Sequence, residues 1–390
     1  MNKISKSITR PGAASLFIVV FSILLLTIIS LSFIRIALRG AKTAGENDLS
    51  QSAYDSAMSG VEDAKRAAVA YTENCVLQTK TDLNEEDCKT LSDKYDGSDC
   101  DVIPRTFKIS PGDEQKLTPG GSGSHDANQA YTCVKITYDT NDYLGEIGNL
   151  DDSVIIPLRA VSGGVERVEI NWFSSKDLSS QSANINLPAG GDISKLPTDA
   201  EWDRQGYPPI MVAQYFKVDN LGSYDINSGS PSFRTLYLYP ADAGGDIGSF
   251  ALDARGYDDK QDVPMTPIKC DNDFSKGLYA CGAKIDLPES IPAKSGKHFI
   301  RLSKRYSAKA SYQVKLLLKD GGVVKFSGVQ PSVDSNGRAG DFFRRVESRI
   351  NLSITPIPTM ALPSAATEVS KGDFCKHLTI DDSDSIPKCE

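Results

Sequence analysis

Hydrophobic and polar positions divide this chain into three kinds of stretch. Residues 13–34 read AASLFIVVFSILLLTIISLSFI, 22 positions of which 17 are apolar and none is charged. A helix of that length runs roughly 33 Å, which matches the core of a bilayer. No helix breaker separates this run from the polar stretch behind it. From residue 48 the pattern becomes a stripe: Leu49, Ala53, Ala57, Val61, Ala64 and Ala68 recur at steps of three and four, the spacing of one helix face. The stripe is rich in alanine and has Gly60 beside it, so it predicts a partner that packs close. Glu62 and Arg66 stand four apart, an orientation that supports a helix. One helix is therefore predicted from residue 13 to about residue 71. Gly40 and Gly45 are its weak points, each costing roughly 1 kcal/mol against alanine, and a kink or local melting is expected there.

After residue 75 the period changes to two. Residues 75–101 are polar and predict a loop with short helical pieces, and 117–128 (LTPGGSGSHDAN) an exposed loop. Strands are predicted at 131–138, 153–159 and 166–173. VSGGVERVEINW predicts a hairpin with Gly163 and Gly164 at its turn, and Val165, Arg167 and Glu169 opposite Val168, Ile170 and Trp172. Residues 174–208 show no period. A second group of strands is predicted at 210–218, 235–239, 278–286, 299–303, 311–319, 323–327 and 342–352, with Asp320-Gly321-Gly322 as a tight turn. Near the end, Val346, Ser348 and Ile350 alternate with Arg345, Glu347 and Arg349, the mark of a sheet with one solvated face.

The fold class these patterns predict is α+β: a long N-terminal membrane helix followed by a mostly antiparallel β ectodomain carrying disulfides. Its expected divisions are a leader at 1–12, the helix at 13–72, a first β lobe at 73–175 and a connection at 176–208. A second β lobe follows at 209–363, then a tail at 364–390. A single sheet with a large insertion is the alternative to two lobes.

Cysteine placement decides the compartment. Cys75, Cys88, Cys100, Cys133, Cys270, Cys281, Cys375 and Cys389 all follow the apolar run. An even number on one side of a membrane points to disulfides in an oxidising space, and C-x-x-C pairs of the kind zinc uses are absent. Eight cysteines allow 105 pairings. Short loops close most easily, which favours Cys270–Cys281 and Cys375–Cys389; for the first four the expectation is Cys75–Cys88 and Cys100–Cys133. Lys3, Lys6 and Arg10 precede the apolar run, and Arg35, Arg39 and Lys42 follow it. The flanks are balanced, so charge does not orient the helix. The cysteines place residues 1–12 inside and the rest outside. A net charge of −8 disfavours nucleic acid as a partner.

GAASLFIVVFSILLL followed by NDLSQSAYDSAMSGVEDAKRA, behind a short basic leader closed by Gly12, resembles the N-terminus of type IV pilins and pseudopilins. It is closest to minor pilins of the PilX type. The resemblance covers about 70 of the 390 residues. It implies a prepilin peptidase that cleaves between Gly12 and Ala13, insertion in the cytoplasmic membrane with the C-terminal domain outside, and display at the cell surface in a type IV pilus or related filament. Its partners would be other pilin subunits, met through the N-terminal helix. Family members that build the shaft carry glutamate as the fifth residue after cleavage; counted from Ala13 that residue is Phe17. This departure implies a minor subunit, at the tip or sparse, that displays its ectodomain for surface contact or adhesion. The alternative is a single-pass anchored extracellular binding protein that does not polymerise.

Little in the chain reads as chemistry, so an enzyme is not expected and no cofactor is implied. His125, His298 and His377 lack H-x-x-x-H or H-E-x-x-H partners, and neither a G-x-S-x-G elbow nor a phosphate-binding glycine loop occurs. Acidic clusters at Asp139/Asn141/Asp142/Glu146, Asp271/Asn272/Asp273 and Asp381/Asp382/Asp384 could offer oxygens to calcium, but none has the spacing of a known calcium loop. Solvated turns are the alternative. Tyr207, Tyr215, Tyr224, Tyr237, Tyr239 and Tyr257 crowd one stretch, with core positions expected for Tyr237 and Tyr239.

Overall fold

The computed structural model describes residues 13–109, 115–116, 129–149, 152–178, 184–188, 197–218, 234–242, 265–306 and 309–352. Its helices are α1 (Ala13–Tyr71), α2 (Glu85–Ser92), α3 (Val102–Thr106) and α4 (Asp199–Gln205). Its strands are β1 (Gln115–Lys116), β2 (Gln129–Thr140), β3 (Tyr143–Ile147), β4 (Ser153–Pro157), β5 (Val165–Ser174), β6 (Ile210–Lys217) and β7 (Arg234–Ala241). They continue as β8 (Met265–Lys269), β9 (Tyr279–Ile291), β10 (His298–Arg305), β11 (Ala310–Leu317), β12 (Val323–Val324), β13 (Phe326–Ala339) and β14 (Phe342–Arg349). Among them β7 and β8 pair in parallel, whereas β2 with β1 and β13, β13 with β14, β10 with β4 and β6, β6 with β7, β11 with β5 and β12, and β5 with β9 pair antiparallel. The α+β expectation therefore holds at the level of a long apolar helix, a mostly antiparallel sheet domain and three bonded cysteine pairs.

The chain forms two compact units, residues up to 143 with 325–352, and residues 144–324. This differs from the expected lobes at 73–175 and 209–363. Strand β5, assigned from the sequence to the first lobe, lies between β9 and β11; β13 returns to pair with β2. Both pairings join segments more than 100 residues apart, which a break in local periodicity cannot reveal.

The first unit is built on the sheet order β1-β2-β13-β14. Its core gathers Val61, Ala64, Ala68 and Tyr71 from α1 with Val134, Ile136, Tyr138 and Val333 from the sheet. A π-helical turn, Thr72–Val76, leads into the predicted loop at 75–101, which holds α2. Helix α2 starts at a capping box in which Asn84 accepts from the Asp87 amide and Asp87 from the Asn84 amide, satisfying two end donors at once. Strand β13 was not expected: FSGVQPSVDSNGRA carries two glycines and a proline. The proline falls within a register shift between Ser327 and Ser332, a position where a missing donor costs the ladder little.

In the second unit one sheet runs β4-β10-β6-β7-β8; the other runs β12-β11-β5-β9, with β3 also on β11. The predicted hairpin at Gly163-Gly164 does not form, because β4 pairs with β10 and β5 with β9 and β11. The chain passes from one sheet to the other there, with the Gly164 amide donating to the Ile291 carbonyl. The alternation read for β5 holds for Val168, Ile170 and Trp172, all buried. Val165 is buried as well, because the register shifts between it and Arg167. The turn at Asp320-Gly321-Gly322 does close β11 on β12, with Gly321 at φ +92° and the Leu318 amide bonded to the Gly322 carbonyl. Cys270–Cys281 links the residue after β8 in one sheet to β9 in the other.

Candidate functional site

Residues 13–71 form one unbroken helix of 59 residues with three zones. From Phe17 to Ile34 every large apolar side chain is exposed, Phe17 at 75% and Phe33 at 69%. Water is a poor solvent for such a surface. Two hydroxyls inside the run are satisfied locally: Thr27 donates to the Leu24 carbonyl and Ser32 to the Ile28 carbonyl. That leaves no polar atom of theirs demanding an outside partner, as an apolar solvent requires. Among the described residues this is one helix long and apolar enough to cross a membrane.

The second zone, residues 35–48, is also exposed throughout and carries Arg35, Arg39 and Lys42. The local melting expected at Gly40 and Gly45 does not occur, since helical structure runs through both. A Cβ at either glycine would meet nothing within 4 Å, so neither is required by packing.

The third zone docks. Ala53, Ala57, Val61, Ala64 and Ala68 are buried as the stripe predicts, while Leu49 is half-buried. The close partner is the sheet of the first unit. A Cβ at Gly60 would lie 2.4 Å from the Ser335 hydroxyl and 2.9 Å from a Val134 methyl. A Cβ at Gly337 would lie 2.2 Å from both the Ala53 carbonyl oxygen and the Ala57 amide nitrogen. The Ser335 hydroxyl donates to the Ala57 carbonyl at 2.8 Å, and the Tyr131 hydroxyl to Asp63 at 2.9 Å. Sequence reasoning found the helix side of this contact and missed Ser335 and Gly337. A signal was available: Val333, Ser335, Gly337 and Ala339 alternate with Asp334, Asn336 and Arg338, a period of two once small residues count as inward. The expected Glu62–Arg66 pair is replaced by Arg66–Asp63 at 3.5 Å.

Three tyrosines close the docked end. Tyr71 and Tyr95 stack with centroids 4.3 Å apart, and Tyr138 meets both edge-on. The Tyr95 hydroxyl donates to the Ala67 carbonyl and bonds Thr106; Thr72 bonds Tyr138. Burial raises the Tyr71 phenol and pushes that of Tyr95 well above its ordinary range. Cys75–Cys88 and Cys100–Cys133 then fasten the following loop, the second directly onto β2. Thus three expected pairs are formed; Gly12, Cys375 and Cys389 lie outside the described residues, and of Ala13 the backbone alone is described, as the first residue of α1.

The remaining candidates that the structure describes have partners within the fold. His298 is buried and hydrogen-bonded through Nδ1 to the Tyr215 hydroxyl at 2.7 Å; His125 and His377 are outside the described residues. Asp142 accepts from Arg349, and Glu146 pairs with Lys309. Asp271 accepts from Lys276, and Asp273 from Ser275. Among the described residues no group of three or more His, Cys, Asp or Glu is placed to hold a metal; Asp381, Asp382 and Asp384 are not among them. Tyr239 is buried and Tyr207 and Tyr237 are half-buried, all packed about Trp202, whose ring stacks on Tyr306 at 4.1 Å. Tyr224 and Tyr257 lie outside the described residues. No family model, no curated protein and no solved structure matches this chain.

Proposed function

We propose that the chain is a minor pilin-like structural subunit of a type IV pilus or related filament that displays a β-rich ectodomain for surface contact or adhesion. The observation that carries this reading is the division of labour along α1: an exposed apolar half suited to a membrane or to other helices, continuous with a half docked by alanines and glycines on an antiparallel sheet. It is supported by the N-terminal resemblance and by cysteines that pair beyond the helix, which favours an oxidising space outside the cytoplasmic membrane. On this reading the role is structural and not enzymatic, a prepilin peptidase cleaves between Gly12 and Ala13, and other subunits meet this one through α1. Phe17 cannot supply the carboxylate that a neighbouring subunit's free amine would pair with in an apolar filament core, where a lone charge costs on the order of 3 kcal/mol. That favours a tip or sparse position.

The mature N-terminus and its location test this. Mass spectrometry should find a chain beginning at Ala13, Gly12→Leu should retain a longer form in the membrane, and immunogold should label filament tips or scattered points. Dense labelling along the whole filament would refute the placement. An intact Met1 with label confined to the envelope would favour the second reading, a single-pass anchored binding protein that does not polymerise, which the exposed apolar run alone also supports.

A further inference from the structure

We propose that Arg35, Arg39 and Lys42 form a binding stripe for anionic phospholipid headgroups, in the leaflet next to the end of the apolar run; this rests on the reading of that run as membrane-crossing. Steps of four and three at about 100° per residue bring the three side chains within about 60° of one another on α1. All three are exposed, and Lys42 is 80% so. Among the described residues neither Arg35 nor Arg39 has a carboxylate partner, and Lys42 meets only the exposed Glu46 at 3.7 Å.

Their heights fit a headgroup layer. The apolar run ends at Ile34, so Arg35 stands at the hydrocarbon edge. Arg39 and Lys42 follow about 6 Å and 10 Å further along the axis. One headgroup layer is roughly 5–8 Å thick, and long basic side chains reach back towards it along their stems. The docked part of the helix begins only at Leu49, about 21 Å beyond Arg35. The body of the first unit thus leaves the stripe open. The stripe also shares its helix side with Ala53 and Ala57, which follow Arg35 and Arg39 by five whole turns. Lipid phosphates there would lie on the sheet side of the helix. A chain of net charge −8 would otherwise be repelled by an anionic surface, and this local cluster opposes that repulsion. Guanidinium groups take phosphate oxygens through two parallel N–H donors, which suits Arg35 and Arg39 to the two deeper positions.

The test uses the full chain reconstituted in phosphatidylcholine vesicles containing a minor share of phosphatidylglycerol. The quantity read is the enrichment of spin-labelled phosphatidylglycerol over spin-labelled phosphatidylcholine in the protein-contacting fraction. Each cation near the surface is expected to contribute about fivefold, so the wild type should show clear enrichment at ~0.01 M salt and lose most of it at ~1 M. R35Q/R39Q/K42Q should incorporate as well as the wild type and lose the stripe's share of the enrichment, keeping only what Lys3, Lys6 and Arg10 on the other flank supply, while R35K/R39K should retain most of the wild-type value. Equal enrichment in the triple glutamine variant, or none in the wild type, overturns the proposal. A chain that fails to incorporate in any vesicle overturns the membrane reading itself and the proposal with it; incorporation without enrichment overturns the proposal alone.

Discussion

Replacing Gly337 by alanine adds one methyl group at the tightest contact between α1 and its sheet. The new Cβ would lie 2.2 Å from two backbone atoms of α1, the Ala53 oxygen and the Ala57 nitrogen, where ordinary contact begins at 3.4 Å. No rotamer change removes backbone atoms, so helix and strand must part by about 1.2 Å, the difference of those distances. Gly337 has no positive φ, so the cost is steric and not conformational. A gap of that size forfeits about half of each van der Waals well that it opens, along a stripe that includes Ala53, Ala57, Gly60 and Ala64. It also stretches the buried Ser335–Ala57 hydrogen bond from 2.8 Å, with a loss of about 1–3 kcal/mol. Overpacking adds about 1–3 kcal/mol, and the stiffer unfolded chain returns about 0.5–1 kcal/mol. A net loss of about 2–5 kcal/mol corresponds to a fall in melting midpoint on the order of 5–15 °C for a unit of this size. Thermal melts of the full chain in detergent, followed by near-ultraviolet circular dichroism of the Tyr71–Tyr95–Tyr138 cluster, measure this. Gly45→Ala is the control: its Cβ meets nothing within 4 Å, and helix propensity predicts a gain of up to about 1 kcal/mol. A Gly337→Ala midpoint equal to wild type would refute the account of α1 docking through backbone contact.

Other expectations follow from the same contacts. Burial raises the phenols of Tyr71, Tyr95 and Tyr131, and raises that of Tyr143 to about 12. The unfolded chain releases these protons near pH 10 and the folded one holds them, so this contribution to stability is complete below about pH 10 and is lost as pH rises; spectrophotometric titration in which every tyrosine ionises near pH 10 without unfolding would contradict it. Non-reducing peptide mapping should recover Cys75–Cys88, Cys100–Cys133 and Cys270–Cys281, leaving Cys375 to pair with Cys389. A Cys270–Cys375 peptide would be incompatible with both. Replacing Cys270 and Cys281 together by serine should destabilise by about 2–4 kcal/mol, seen as a lower midpoint in chemical denaturation and no change in vesicle incorporation.

Local pattern was enough for whatever depends on neighbours along the chain. The extent of α1, its buried alanine stripe, most strands and the turn at Gly321 were legible, because a helix or a strand shows its buried side at a period of 3.6 or 2. The cysteine pairs were legible where loops are short. What closes over long separations was not. That β4 and β5 belong to different sheets is decided by partners more than 100 residues away. That β13 is a central strand in spite of its glycines and proline is decided by β2 and β14 on its two sides. The alternation of Val333, Ser335, Gly337 and Ala339 can mark an inward face, but the need for smallness at Gly337 and Ser335 is not written in their own strand. It arises only when the backbone of α1 lies within a methyl group's width, since close packing is a property of two surfaces and each sequence segment describes one.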